Sequence, residues 1–230
     1  MQTTTPHATR PIRSFVRREG RLTRGQTRAL EQLWPRYGLT EQATALDFVQ
    51  IFGRQAPVIL EIGFGNGASL ATQAQQMPDY DFIGIEVHRP GIGHLLGLIE
   101  QQGLPNLRIS DRDAVLVLKE QIAPASLDRI QIFFPDPWQK KRHHKRRLIQ
   151  AAFVALLATR LRPGGLLHLA TDWPDYAQQM QTVLDQATEW FTPHGPQPLP
   201  QRPAERPATK FEQRGQARGH PVVDFQYQRH

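Results

Sequence analysis

From Pro57 onward, short apolar runs that suit buried strands take turns with longer stretches of helical character, and this alternation constrains the fold more than any other feature. The pattern predicts strands over 57–61, 81–86, 107–110, 127–134 and 165–171, separated by helices over 68–76, 94–102, 114–121, 145–160 and 176–190. Arg162-Pro-Gly-Gly is a strong breaker and should end the fourth of these helices. Strands joined by helical crossovers lie parallel, so the chain should form an α/β, Rossmann-like doubly wound, mostly parallel sheet with helices on both faces. Six prolines within 193–207 exclude helix and strand there, leaving an ordered loop before a closing strand at 222–227.

At 230 residues the chain supports one sizeable core, read here as a single domain over 36–230 preceded by a basic arm over 1–35. A helix is expected over about 40–52, whereas the spacing of the arm is loosely helical at best. With no cysteine there are no disulfides, thiolate zinc sites or cysteine nucleophiles. His143 and His144 are adjacent but lack further ligands nearby, so no metal is expected. No apolar run reaches the roughly 20 residues that span a bilayer, and the polar start resembles no signal peptide, so a cytoplasmic protein with no membrane partner is expected.

Charge narrows the partner. Lys and Arg outnumber Asp and Glu by 28 to 21, and the excess is clustered. Arg10, Arg13, Arg17, Arg18, Arg21, Arg24 and Arg28 stand against the single acid Glu19, and Lys140-Lys-Arg142-His143-His144-Lys145-Arg146-Arg147 forms a second block. Clusters of this kind suit the phosphates of a nucleic acid.

Glu61-Ile-Gly63-Phe-Gly65-Asn-Gly67 lies between the first strand and its helix, where glycines let the backbone turn sharply against a ligand. The segment also fits a dinucleotide fingerprint, which leaves a nicotinamide-dependent oxidoreductase as a rival reading. Glu61 argues against that rival, because its carboxylate would repel a pyrophosphate yet attract the ammonium and sulfonium charges of S-adenosyl-L-methionine. Glu86 ends the second strand, where an acid hydrogen-bonds ribose hydroxyls, and Asp113 follows the third, within reach of an adenine amino group.

The fourth strand runs into Pro135-Asp136-Pro137-Trp138 immediately before the second basic block. Two prolines stiffen this exit, which presents a carboxylate and an aromatic face beside dense positive charge. Phosphate contacts would position an RNA there and the aromatic face could stack a base. Enzymes that methylate exocyclic base amines carry an Asp/Asn/Ser-Pro-Pro-aromatic order at this place, and the order here differs. A carboxylate at Asp136 would suit a base that becomes cationic on methylation. A non-catalytic RNA-binding module on the same scaffold is a further alternative, and methylation of another RNA base or position stays open at this point.

The strings RSFVRREGRLTRGQ, EIGFGNG, GIEVHRPGIG, FPDPWQKKRHHKRRL, ATDW and RPATKFEQRGQARGH occur in that order within the span from Arg13 to Asp224. Together they closely resemble the bacterial tRNA (guanine-N7-)-methyltransferase family, with Gln139 standing where that family commonly has proline. The resemblance implies transfer of a methyl group from S-adenosyl-L-methionine to guanine N7 in the variable loop of tRNA, by a monomer or homodimer. It implies cofactor contacts from Glu61, Glu86, Asp113 and Asp136, beside the loop glycines Gly63, Gly65 and Gly67, and a catalytic role for Asp136. It also implies substrate contacts from Lys140, Asp172, Thr209, Lys210, Phe211 and Glu212. RNA contacts are expected from Arg13, Arg17 and Arg18 and from Arg142, His143, His144, Lys145, Arg146 and Arg147.

Overall fold

The computed structural model describes residues 20–42, 44–208, 212 and 221–230. Seven strands are present among them: β1 (Val58–Ile62), β2 (Asp81–Ile85), β3 (Leu107–Ser110), β4 (Leu127–Phe133), β5 (Leu161–Thr171), β6 (Phe191–Pro193) and β7 (Val223–Arg229). They form one sheet in the order β3-β2-β1-β4-β5-β7-β6. β1 to β5 run parallel, and β7 is antiparallel to both β5 and β6. The doubly wound α/β sheet expected from the alternation is therefore present, and the strand order reverses between β1 and β4.

Seven α-helices accompany the strands in the described residues: α1 (Arg24–Tyr37), α2 (Phe48–Phe52), α3 (Ala68–Gln76), α4 (Arg89–Gln102), α5 (Ala114–Glu120), α6 (Ala151–Arg160) and α7 (Pro174–Asp185). Period-2 alternation sorts the strand side chains between two cores. Val58, Leu60 and Ile62 pack with residues of α5, α6 and α7. Ile59 faces the other way, toward Ala29 of α1, Leu70 and Ala74 of α3, and Leu95 and Ile99 of α4. Each face of the sheet is thus covered by its own set of helices.

Several elements differ from expectation: β6 takes in Pro193, where no strand was expected, and α7 runs from Pro174 to Asp185 rather than over 176–190. The helix expected over 40–52 is confined to Phe48–Phe52, and a 14-residue helix, α1, forms instead within the segment read as arm and just beyond it. A capping box starts α1: Thr23 accepts from the Gln26 amide at 3.2 Å, and the Gln26 side chain accepts from the Thr23 amide at 2.9 Å. α4 begins at Arg89 rather than 94, because Pro90 lies in its first turn, where a missing N–H costs nothing. The helix expected over 145–160 is split into a 3₁₀ helix (Lys141–Arg146) and α6, because the residues between them are held by tertiary bonds described below. Finally, β5 starts at Leu161, directly after α6. Arg162-Pro-Gly-Gly is a bulge in the strand: Leu161 pairs with Leu127, and pairing resumes at Leu166 opposite Arg129.

Candidate active site

The carboxyl ends of the parallel strands place five acids along one edge of the sheet, in the order Asp113 (after β3), Glu86 (after β2), Glu61 (in β1), Asp136 (after β4) and Asp172 (after β5). Glu61 and Asp136 flank the point where the strand order reverses, which is where open α/β sheets bind ligands.

Glu61 is 4% exposed and its Oε2 accepts from Gln131 Nε2 at 2.6 Å, across the register that pairs these two residues of β1 and β4. Burial pushes its pKa from the ordinary 4.5 up to about 7; the Gln131 bond opposes the rise, and the charge of Glu86 adds to it. Glu86 is held by backbone donors. One carboxylate oxygen accepts from the Gly65 amide at 2.9 Å, and the other from the amides of Val87 and His88 at 2.7 and 3.0 Å. Asp113 caps α5, accepting from the Val115 amide at 2.9 Å.

The loop between β1 and α3 needs its glycines. Gly63, Gly65 and Gly67 have φ of 79°, 61° and 75°, in the left-handed region, and a Cβ on Gly67 would come within 2.6 Å of the Leu95 side chain. The start of α4 crosses this loop closely: a Cβ on Gly91 would lie 2.0 Å from the Gly65 carbonyl oxygen. Gly91 belongs to the distinctive string after β2 but was not singled out in the sequence. Nothing local to it reveals the contact, which is made across two elements.

Beyond β4 the chain turns through two non-glycine residues with positive φ, Phe134 (53°) and Trp138 (45°). Asp136 is exposed, and its Oδ1 accepts from the Trp138 amide at 3.0 Å, fixing the carboxylate within the turn. The Arg146 guanidinium lies 4.0 Å from the centre of the Trp138 ring, and His143 meets the same ring edge-on at 5.9 Å. Lys140, Arg142 and Lys145 are exposed, while His143, His144 and Arg146 are half-buried. Partial desolvation and then the surrounding cations hold His143 below its ordinary pKa, so it offers hydrogen bonds rather than charge at neutral pH.

Arg147 corrects the expectation placed on it. Expected to contact RNA, it is only 3% exposed and donates from Nε to the Pro137 carbonyl at 2.8 Å. Its other donors reach Gln179 Oε1 at 2.7 Å and Asp175 Oδ2 at 2.5 Å on α7. Glu212 is likewise buried, at 2% exposure, with its carboxylate on Arg206 at 2.8 and 3.1 Å and on Arg202 at 3.4 Å. Asp172 is half-buried where β5 ends. Arg13, Arg17, Arg18, Thr209, Lys210 and Phe211 lie outside the described residues.

Sequence reading missed a buried polar chain beside this site. Arg206 is fully buried, bonds both oxygens of Asp224 at 2.7 and 2.8 Å, and lies 5.7 Å from the ring centres of Phe133 and Phe134. His168 of β5 completes the chain, with Nε2 2.8 Å from Asp224 Oδ1. Desolvation raises the pKa of Asp224, but its bonds to His168 and Arg206 outweigh that and leave it below the ordinary value. Among the described residues no helix is long and apolar enough to cross a membrane.

A sheet of this order, with a glycine loop after β1 and acids at the ends of β1 and β2, defines an S-adenosyl-L-methionine-dependent methyltransferase of Rossmann-like fold. Solved structures agree at the level of fold: a 16S rRNA (adenine(1408)-N(1))-methyltransferase from Catenulisporales acidiphilia superposes with TM-score 0.55 at 14% identity, covering 82% of this chain and 95% of that one. The family described as "Putative methyltransferase" matches residues 55–225. A tRNA (guanine-N(7)-)-methyltransferase of Alkalilimnicola ehrlichii is 56% identical over 222 residues, spanning 96% of this chain and 93% of its own length. The one from Nitrosococcus oceani is 55% identical, covering 96% and 92%. The chain belongs to the tRNA (guanine-N(7)-)-methyltransferase family.

The donor set fits the cofactor of this class. Glu61 is a buried acid close to its point of ionisation, so a cationic amino-acid moiety would draw it into the charged form, where a phosphate would be repelled. Glu86 is already fixed by three backbone donors beside the glycine loop, as a carboxylate that meets ribose hydroxyls must be.

Proposed function

We propose that this chain methylates N7 of a guanine in the variable loop of tRNA, with Glu61, Glu86, Asp113 and the loop of Gly63, Gly65 and Gly67 holding S-adenosyl-L-methionine and Asp136 facing the base. The observation that carries the reading is the placement of Asp136. It is exposed, fixed by the Trp138 amide, set at the strand-order reversal across from Glu61, and followed at once by the basic 3₁₀ helix.

When bound, S-adenosyl-L-methionine supplies an electrophilic methyl group. Guanine N7 has a lone pair and no proton, so the site needs no general base. The acceptor ring becomes cationic, and a carboxylate already oriented at that ring favours the developing charge without reorganising. Lys140, Arg142, Lys145 and Arg146 would meet phosphates and set the approach of the tRNA, which converts binding into alignment. Asp172, Thr209, Lys210 and Phe211 complete the proposed substrate set, with Glu212 fixed from behind by Arg206.

Asp136→Ala tests the assignment. It should bind S-adenosyl-L-methionine as the wild type does and lose roughly 30- to 1,000-fold in turnover, the equivalent of about 2–4 kcal/mol of barrier. Turnover near wild type in the purified variant would remove Asp136 from the mechanism. Mapping the labelled nucleoside after incubation with radiolabelled cofactor and unmodified tRNA tests the acceptor atom separately.

A further inference from the structure

The last residue of the basic block does something different from the rest of it. Arg147 has five N–H groups, and four are engaged: Nε on the Pro137 carbonyl, Nη1 on Gln179, and Nη2 on both Asp175 Oδ2 and His144 Nε2, the last at 3.1 Å. Its guanidinium also lies 4.8 Å from the centre of the buried Tyr176 ring. The Tyr176 hydroxyl in turn accepts from the Ile149 amide at 3.1 Å, and Gln179 Nε2 donates to the Ile149 carbonyl at 3.1 Å. These bonds explain why the chain leaves helical geometry at Arg147, whose φ and ψ are −57° and 136°, although its neighbours favour helix.

Pro137 follows Asp136 directly and precedes Trp138, whose amide orients the Asp136 carboxylate. The bond from Arg147 Nε therefore closes the whole segment from Pro137 to Arg147 into a loop and ties its closure to α7. Within that loop Arg146 stacks on Trp138. The exposed cations and the carboxylate accordingly belong to one rigid piece, with Arg147 as its fastening.

We infer that Arg147 is a positioning residue that sets the Pro135–Trp138 turn, and hence the direction of Asp136, and that the phosphate-facing set ends at Arg146. Lysine cannot replace it, because one ammonium group cannot reach Pro137, Gln179 and Asp175 in the planar fork that a guanidinium provides. The inference rests on Asp136 as the carboxylate at the base, so the test carries Asp136→Ala as a control.

Four variants are measured with the full-length chain: Arg147→Lys, Asp175→Asn, Arg142→Gln and Asp136→Ala. Each is assayed for kcat at saturating tRNA, KM for tRNA, the salt dependence of tRNA binding, affinity for S-adenosyl-L-methionine and Tm. Arg147→Lys should lower kcat on the order of 100-fold, since a misplacement of about 1 Å near the reacting atoms has that effect, with cofactor affinity and salt slope as in the wild type. Arg142→Gln should differ in its salt dependence, reducing the log–log slope of tRNA binding by about 1, which Arg147→Lys should not do. Asp175 is largely exposed, so Asp175→Asn folds even if Arg147→Lys does not. It should lower kcat without weakening tRNA binding, although a charge repelling RNA has been removed. Wild-type kcat in Arg147→Lys, or a salt slope lowered by about 1 with kcat retained, overturns the inference. So does wild-type kcat in Asp175→Asn should Arg147→Lys fail to fold. If Asp136→Ala is itself active, the fault lies with the reading of Asp136 and not with Arg147.

Discussion

Replacing Glu61 by Gln should make the free protein more stable and the enzyme worse. Burial raises the Glu61 pKa from 4.5 to about 7 in the folded chain, whereas the unfolded chain releases that proton near 4.5. Between those values the folded state binds more protons, so stability is highest at low pH, falls as pH rises from about 4.5 to about 7, and is level above that. The gap corresponds to about 3 kcal/mol at roughly 1.4 kcal/mol per pH unit. Glutamine keeps an oxygen to accept from Gln131 Nε2 and carries no charge to desolvate, so Glu61→Gln should recover most of that amount at pH 8. For a chain of 230 residues this is a rise in Tm of roughly 6–12 °C. At pH 5 the wild type has lost under about 1 kcal/mol, and the two proteins should melt within a few degrees of each other. Thermal denaturation of both proteins across pH 5 to 8, without cofactor, measures this directly. Calorimetric titration supplies the other half. Wild-type affinity for S-adenosyl-L-methionine should weaken about tenfold per pH unit below about 7, as the cationic ligand must first drive off the proton. The variant should bind weakly with no such slope. A Glu61→Gln protein no more stable than wild type at pH 8, or offset equally at every pH, would refute the reasoning.

Two other perturbations test the supports of the site. Arg206→Met strips the guanidinium from Glu212 and Asp224, leaving the buried Asp224 without a cation and Glu212 with the longer Arg202 contact; the expected loss is about 3–5 kcal/mol, read as a lowered denaturant midpoint, and a loss under about 1 kcal/mol would contradict the pairing. Gly91→Ala drives a methyl group against the Gly65 carbonyl, with backbone on both sides and no flexible side chain to yield. It should destabilise by about 1–3 kcal/mol and shift the glycine loop enough to weaken cofactor binding at least tenfold by titration, and unchanged affinity in the folded variant would show that the loop tolerates the shift.

The residues that sequence reading placed well are those whose constraint is local. β1 to β4 and α3 follow from apolar periodicity and a glycine-rich exit, which also puts Glu61 and Glu86 at or beside strand ends. α1 was also legible in principle, since Thr23 and Gln26 have the spacing of a capping box; the density of arginines around them drew the segment toward an extended arm. Arg147 could not be separated from its basic neighbours, because its partners on α7 are 28 and 32 residues away and only the fold brings them together. The same holds for Arg206 and Asp224, 18 residues apart, and for His168 and Asp224, 56 apart. Helix propensity over 145–160 was real but local, and the bonds to Pro137, Tyr176 and Gln179 override it.

The position of β7 bears on how the molecule is made. It follows β5 and β6 in sequence, yet it lies between them in the sheet. A growing polypeptide that has emerged through Pro193 therefore has β5 with one side unpaired, an open ladder that invites pairing with another chain. It also holds His168, and on further elongation Arg206, before Asp224 exists to receive them. Folding on the ribosome can complete the half of the sheet from β3 to β4 in order of synthesis. The half that backs Phe133, Phe134 and the Asp136 turn must wait for one late insertion, so a chain interrupted before Val223 would have the edge carrying Glu61 and Glu86 complete and the Asp136 turn unsupported.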